Sequence, residues 1–259
     1  MSTRPDGAER DFIHSLERGL AVLQVFSREH PSVTLSEAAS LTGLTRATAR
    51  RILLTLQNLG YVRAEGRRFL PTPRVLAIGY AYLSSMDTWQ VAHPYLVELA
   101  DLSQESCSAA TLDGTEVVYV ARVASRRVMA VNLSVGARVP AYATSMGRVL
   151  LAGLGPDRLD GYFGAVRLTP LTASTVTDEA ALREIIAEVR DQGWSAVDQE
   201  LEAGLCSIAA PIHDRDGDVV AALTICSHAG RVGVEQLREE LLAPLLHAAK
   251  QVSDQVRRR

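Results

Sequence analysis

The chain has 259 residues, 47% hydrophobic and 22% charged, with a formal net charge of −3. That composition excludes a disordered or fibrous chain and suits one large globular domain or two ordinary ones. No apolar run reaches the roughly 18 residues of a membrane span, and the leading "MSTRPDGAERDF" lacks the apolar core of a signal peptide. Cys107, Cys206 and Cys226 make neither a disulfide framework nor a CxxC metal pattern, and read as free thiols of a cytosolic protein. The charge is uneven: residues 1–70 hold ten arginines and seven acids, whereas the remainder holds 17 basic and 23 acidic residues, including the only lysine, Lys250. A mildly basic amino-terminal module on an acidic body suits a protein that touches phosphate with one end.

In chain order, "SLERGLAVLQVFS" places Leu16, Leu20 and Leu23 at helical spacing, with Ser15 in an N-cap position and Arg18 exposed. "REHPSVT" breaks the pattern at a proline. "TLSEAASLTG" is a second helix, capped by Thr34 or Ser36 and closed by Gly43. Thr45 caps a third, on which Ala49, Ile52, Leu53, Leu56 and Leu59 share one side and Arg46, Ala47, Arg50, Arg51, Gln57 and Asn58 the other. Cations at a helix start oppose its dipole, so helix stability does not account for them, whereas an anionic partner does. A helix headed by arginines and small residues fits the DNA major groove. "YVRAEGRRFLPT" reads as a hairpin with its tip at Glu65-Gly66, crowded by Arg63, Arg67 and Arg68. Any one of these arginines is ordinary on a surface. Together, the short helix, glycine turn, arginine-headed helix and basic hairpin specify a winged helix-turn-helix.

Pro71 and Pro73 end the wing, and "PRVLAIGYAYLSSM" is a helix, Pro73 to Met86, that is apolar nearly all round and needs a cover from its own domain or a second subunit. From Trp89 onward, helix and strand alternate. "VAHPYLVELADLSQES" is a helix, and "CSAATLDG", "EVVYVARV" and "VMAVNLSV" are strands, with a turn at Asp113-Gly114. "SMGRVLLAGL" is a short helix, and Thr177 to Trp194 an amphipathic one capped by Thr177 or Asp178. "GLCSIAAPIHD" and "GDVVAALTICS" are buried strands joined at Asp216-Gly217, followed by a last helix interrupted at Pro244. The pattern is an α+β domain with an antiparallel sheet. The expected division is residues 12–72 for the winged helix-turn-helix, 73–88 for a linker helix and 89–259 for the larger domain.

No dinucleotide fingerprint, phosphate loop, zinc-protease motif or nucleophile elbow occurs, and the six histidines have no ligand spacing. Neither a metal nor a cofactor is expected. "DQELEAG" alternates Asp198, Glu200 and Glu202 as one strand face would, which admits a carboxylate-pair hydrolase but equally a polar strand lip. Thr144 or Ser145 heads a helix whose free N–H groups suit an anion, and the same residue types also suit a plain N-cap. Ser207, Thr224 and Cys226 are small polar groups on apolar strands, able to line a cavity or only to bond their neighbours.

"SLERGLAVLQVF", "GLTRATARRILLTLQNLGYV", "PAYATSMGRVLLA", "DQELEAGLCSIAAPI" and "AALTICSHAGRV" resemble the IclR-type transcriptional regulators over nearly the whole chain from Ser15. "LPTPRVLAIGYAYL" and "ATSMGRVLLA" are further similar to the subgroup that controls aromatic-acid breakdown through the β-ketoadipate pathway. The resemblance implies a GAF-like effector domain behind the winged helix-turn-helix, a homodimer or dimer-of-dimers tetramer, and operator DNA as partner. It also implies a small carboxylate effector such as protocatechuate, 4-hydroxybenzoate or β-ketoadipate, no membrane, and a cytoplasmic, nucleoid-associated location in a bacterium.

Carried over residue by residue, the family's helix-start site falls on Ser145, Met146 and Gly147, directly after the N-cap candidate Thr144, and its strand groups on Ser207, Thr224 and Cys226. Its pocket carboxylate falls on Asp198, with Glu200 close by, and Arg122, Arg127 and Arg148 are candidate partners of an effector carboxylate. Relatives that bind small 2-oxo acids carry Gly-Ala where this chain has Ser145-Met146, so a different effector is expected. For DNA, Thr45, Arg46, Ala47, Thr48 and Arg50 are expected at bases and Arg51, Arg63, Arg67 and Arg68 at phosphates, with Ser15, Arg18 and Ser36 alongside. The competing readings are a DNA-tethered hydrolase using Asp198 and Glu200, and a ligand-free DNA-binding structural protein.

Overall fold

The structure is a computed structural model that describes residues 11–27, 29–85, 88–125 and 134–258. It divides into two units, Met1–Ser85 and Met86–Arg259. In the first, helix α1 (His14–Gln24) has Ile13 at its N-cap and no side-chain cap, so Ser15 lies inside the helix instead of capping it. A two-residue strand, β1 (Val33–Thr34), follows the proline-broken stretch. Thr34 then opens α2 (Leu35–Thr42) with a reciprocal capping box. Its hydroxyl accepts from the Glu37 amide at 3.3 Å, and the Glu37 carboxylate accepts from the Thr34 amide at 2.7 Å, which satisfies two orphan donors. Gly43 ends α2 in the left-handed region, φ 66°, as a glycine C-cap does.

Thr45 caps α3 (Arg46–Asn58), accepting from the Thr48 amide at 3.2 Å. Strands β2 (Val62–Glu65) and β3 (Arg68–Pro71) form the wing, pairing Glu65 with Arg68. Its tip is therefore Gly66-Arg67, one residue later than the sequence pattern indicates. β1 adds to β3 through Val33 and Phe69, a third strand too short to leave a periodic signal. Val22, Val33, Ala38, Leu53, Val62 and Phe69 close the core beneath these elements. One 3-10 turn (Pro73–Val75) leads into α4 (Leu76–Ser85), the expected linker helix, on which Leu76 is 73% and Tyr80 69% exposed.

The second unit begins with α5 (Thr88–Ser103), then β4 (Ser106–Asp113) and β5 (Glu116–Val123) joined through Gly114 at φ 60°. The strand expected over "VMAVNLSV" lies outside the described residues except for its last two positions. Next come β6 (Arg138–Pro140), α6 (Ser145–Ala152), α7 (Pro156–Ala165), α8 (Glu179–Gln192), β7 (Ser195–Asp198), β8 (Leu205–His213) and β9 (Val219–His228). β6 and α7 are additions to the sequence reading. Asp178, not Thr177, caps α8, accepting from the Ala181 amide at 2.8 Å. The sheet is antiparallel in the order β6-β5-β4-β9-β8-β7. α5 packs against β4 and β5 and α10 (Leu242–Arg258) against β8, while α6 packs against β7, β8 and β9 and carries α8.

Two expectations are corrected here. Asp198, Glu200 and Glu202 do not share a strand face, because β7 stops at Asp198 and Gln199 turns the chain at φ 58°. The last helix breaks before Pro244, not at it: a short α9 (Val234–Gln236) passes into a π-helical turn, Leu237–Leu241, and Pro244 lies in the first turn of α10. Proline lacks the N–H that would bond the carbonyl four residues back, and its ring crowds that carbonyl; the wider turn just upstream absorbs the lost register.

Leu53 is wholly buried in the first unit. Leu53→Ala is expected to cost about 2–5 kcal/mol, read as a lower urea midpoint with an unchanged slope. In the second unit, burial pushes the Cys107 thiol up to about 12. Burial, helped by the Asp198 carboxylate, does the same to Cys206, and burial raises Cys226 as well. At pH 8 a thiol of pKa about 12 holds on the order of a thousandfold less thiolate than a free one. Native protein is therefore expected to label slowly with a disulfide reagent and at all three positions in urea. Because the folded pKa values lie above the unfolded ones, the thiols stabilise the fold below about pH 9 and lose that contribution as pH climbs toward 12.

Candidate functional site

The arginines at the head of α3 are exposed and fall into two sets. At 100° per residue, Arg46 and Arg50 lie on one side of Ala47, and Thr48 and Arg51 on the other. The second pair borders an apolar groove of about 670 Å³ between α1 and α3, whose edge also holds Ser15, Arg18, Leu20 and Ile78. Thr45 and Thr48 join their hydroxyls at 2.9 Å, which fixes the first turn. Ser36 is exposed near the start of α2. On the wing, Arg67 is exposed at the tip. Arg63 pairs with Glu65. Arg68 is committed elsewhere: its guanidinium donates to the Ser32 hydroxyl and carbonyl, both at 2.7 Å, and pairs with Glu37 at 3.1 Å. It thus ties the wing to the α2 capping box, a structural employment that residue type alone does not reveal.

In the second unit, the start of α6 faces β8 and β9. Thr144 caps α6, accepting from the Gly147 amide at 3.0 Å. Ser145 then donates to the Ser207 hydroxyl at 2.8 Å and lies 3.5 Å from the Thr224 hydroxyl. Thr224 donates to the Ile208 carbonyl at 2.8 Å and lies 3.6 Å from the Cys226 sulfur. Three hydroxyls separated by tens of residues in sequence meet at one point, all 8% exposed or less. Tyr119, Val197, Leu201 and Leu205 complete the lining, with Ala143, Thr144 and Met146. The enclosed space is about 10 Å³. That is the threshold for one water, whereas a cavity that accepts benzene is about 150 Å³.

Tyr119 did not stand out in the sequence. It sits on β5 beyond a register shift opposite Ala109/Ala110, which brings its side chain to the pocket face alongside Arg122. Burial raises its hydroxyl pKa, and the nearby Arg122 opposes that shift. The Arg122 charge likewise acts on Cys226, against the larger effect of burial. Arg127 lies outside the described residues.

Five of the expected effector residues that are described do not line the pocket, Arg122 among them. Gly147 packs on the Ala141 backbone, where a Cβ would collide with the carbonyl. Asp198 is exposed on the face of β7 opposite Val197 and accepts from the Cys206 thiol at 2.8 Å. Arg148 and Glu200 are buried against each other, 2.6 Å apart, with the Arg148 Nε donating to the Tyr142 carbonyl at 3.1 Å. Glu200 also accepts from the Val176 amide at 3.0 Å. Among the described residues, no group of three or more His, Cys, Asp or Glu is placed to hold a metal ion, and no helix is long and apolar enough to cross a membrane.

Comparison with known proteins agrees with this layout. A model of the IclR helix-turn-helix domain matches residues 15–66, and one of the bacterial transcriptional regulator IclR C-terminal domain matches residues 80–254. The chain is 44% identical to the Pca regulon regulatory protein of Pseudomonas putida, over 95% of this chain and 85% of that one. It is 34% identical to the p-hydroxybenzoate hydroxylase transcriptional activator of Acinetobacter baylyi, over 95% and 93%. Among solved structures, it is similar to an IclR homolog from Microbacterium hydrocarbonoxydans complexed with 4-hydroxybenzoate, with a TM-score of 0.81 and 26% identity, covering 95% of this chain and 100% of that one. A winged, arginine-headed helix-turn-helix joined to an α+β effector domain, matched by both family models, is the architecture of a DNA-binding transcriptional regulator, and this chain belongs to the IclR family.

Proposed function

We propose that this regulator senses a small aromatic carboxylate, of the 4-hydroxybenzoate or protocatechuate type, and controls a catabolic operon in the bacterial cytoplasm; β-ketoadipate is the aliphatic alternative. The observation that carries the reading is the hydroxyl cluster of Ser145, Ser207 and Thr224 at the start of α6. It is walled by apolar side chains and Tyr119, with the Arg122 charge nearby. Few, placed polar groups in an apolar pocket suit a ring that carries a hydroxyl and a carboxylate. The relatives named for Pca and p-hydroxybenzoate regulation, and the homolog solved with 4-hydroxybenzoate, support the same chemistry. Since the pocket is too small for a ring as it stands, binding requires it to open, and an effector acts only to the extent that it favours one conformation over another.

On DNA, we propose Thr45, Arg46, Ala47, Thr48 and Arg50 at bases, Arg51, Arg63 and Arg67 at phosphates, and Ser15, Arg18 and Ser36 at the margins. Operator reading by paired half-sites calls for a homodimer or a dimer of dimers. Catalysis by Asp198 and Glu200 is not part of the proposal, because the first is bonded to Cys206 outside the pocket and the second neutralises a buried arginine.

Two outcomes test these readings. Arg46→Ala is expected to weaken operator binding by about 1–3 kcal/mol and to relax one base position, if it pairs with a base edge. Equal weakening on all sequences, in a footprint or mobility-shift series, would make it a phosphate contact instead. For the effector, a ligand that binds only the folded protein adds about 2.7 kcal/mol at a hundredfold excess over Kd. A rise in melting temperature with 4-hydroxybenzoate or protocatechuate, reduced in Ser145→Ala, is expected; no rise with any aromatic acid would sink the reading.

A further inference from the structure

We propose that the buried Arg148–Glu200 ion pair is a latch that sets how readily the pocket opens, so that these residues position its walls without touching the effector. The inference rests on the effector-pocket reading above. Arg148 and Glu200 come from opposite walls. Arg148 lies on α6, whose first residues, Ser145 and Met146, line the pocket. Glu200 directly precedes Leu201, and Leu201 and Leu205 form the facing wall.

The loop between them is closed at its neck. Gln199, at φ 58°, donates its amide to the Leu205 carbonyl at 2.8 Å, while its side-chain oxygen accepts from the Gly204 amide at 2.9 Å. A loop tied this way moves as a unit. It is pinned behind the pocket by Glu200, whose carboxylate meets Arg148 and whose carbonyl accepts from the Thr175 hydroxyl at 2.7 Å. A space of about 10 Å³ has to widen to admit a ring, and in the latch reading it does so by moving Leu201 and Leu205 away from the start of α6. The Arg148–Glu200 pair, 4% and 9% exposed, is the charged tie between the two walls, beside the neutral bonds of Ser145 to Ser207 and of Thr172 and Thr175 to the loop carbonyls. Separating two charges in such a place leaves each unpaired and desolvated, which resists opening. The apparent effector affinity is the intrinsic affinity scaled by the fraction of chains that are open. The latch therefore sets the effector concentration at which the regulator responds, and displacing the loop pulls on α6 through the same guanidinium.

The test uses the full-length chain, with Arg148→Met combined with Glu200→Gln to remove both charges while keeping an acceptor for Val176, and Arg148→Lys to retain the ion pair. Hydrogen exchange at Gly204 and Leu205 is expected to speed up roughly tenfold or more in the double variant, with β9 amides unchanged, as for a local opening. The Kd for 4-hydroxybenzoate or protocatechuate, measured by calorimetry, is expected to fall by roughly threefold or more, with Arg148→Lys returning both readouts toward wild type. Loop exchange within about twofold of wild type overturns the latch, as does acceleration across the whole sheet in step with lost global stability. If wild-type protein binds neither acid, the effector reading fails separately, and the exchange result alone decides for or against the latch.

Discussion

The absence of a side chain at Gly147 lets the first turn of α6 lie directly on the Ala141 carbonyl. Almost everything distinctive about the second unit follows from that close approach. With α6 seated there, Thr144 reaches its capping amide, Ser145 reaches Ser207 and Thr224 across the sheet face, and Arg148 reaches both the Tyr142 carbonyl and Glu200. A side chain at position 147 would lift the helix from the 141–143 turn and separate these partners together, because they share one rigid support.

The polar groups gathered by α6 divide by burial and charge. The hydroxyls face a small enclosed space, where neutral donors and acceptors satisfy one another at little cost. The full charges lie behind them as an ion pair, which offsets much of the cost of burying an arginine and a glutamate. Pocket lining and charge pairing thus fall to different residues on the same short helix: Ser145 and Met146 toward the pocket, Arg148 away from it. Arg122, on β5, supplies the positive potential felt at Tyr119 and Cys226 from the sheet side.

The first unit follows a parallel logic. Arg46, Arg50 and Arg51 stand where the helix dipole disfavours them, so α3 leans on Thr45 and on burial of Ala49 and Leu53. Arg68 serves the fold, binding the Glu37 carboxylate that completes the α2 cap. Two arginines one residue apart on the wing, Arg67 and Arg68, therefore have different environments: one at an exposed tip, the other clamped to Ser32 and Glu37.

The sequence by itself determined the elements whose signals are local. Apolar residues at helical spacing, Thr45 and Gly43 as caps, the Asp216-Gly217 turn and the apolar runs of β8 and β9 could be read without a structure, because each depends on residues within a turn or two of one another. Ser145 as a helix head and Ser207 and Thr224 as small polar groups on apolar strands were legible from residue type, and the resemblance joined them into one set. What the tertiary structure decided was every assignment that depends on distant partners or on which face a side chain takes. Tyr119 joins the pocket because of a register shift in β5. Asp198 leaves it because it follows Val197 on a strand, where neighbours point to opposite faces. Glu200 changes from a candidate acid to half of an ion pair, because Gln199 turns the chain and Arg148 lies 52 residues away in sequence. Residue type states which bonds a side chain is able to make; only the folded chain, by setting distance and burial, selects among them.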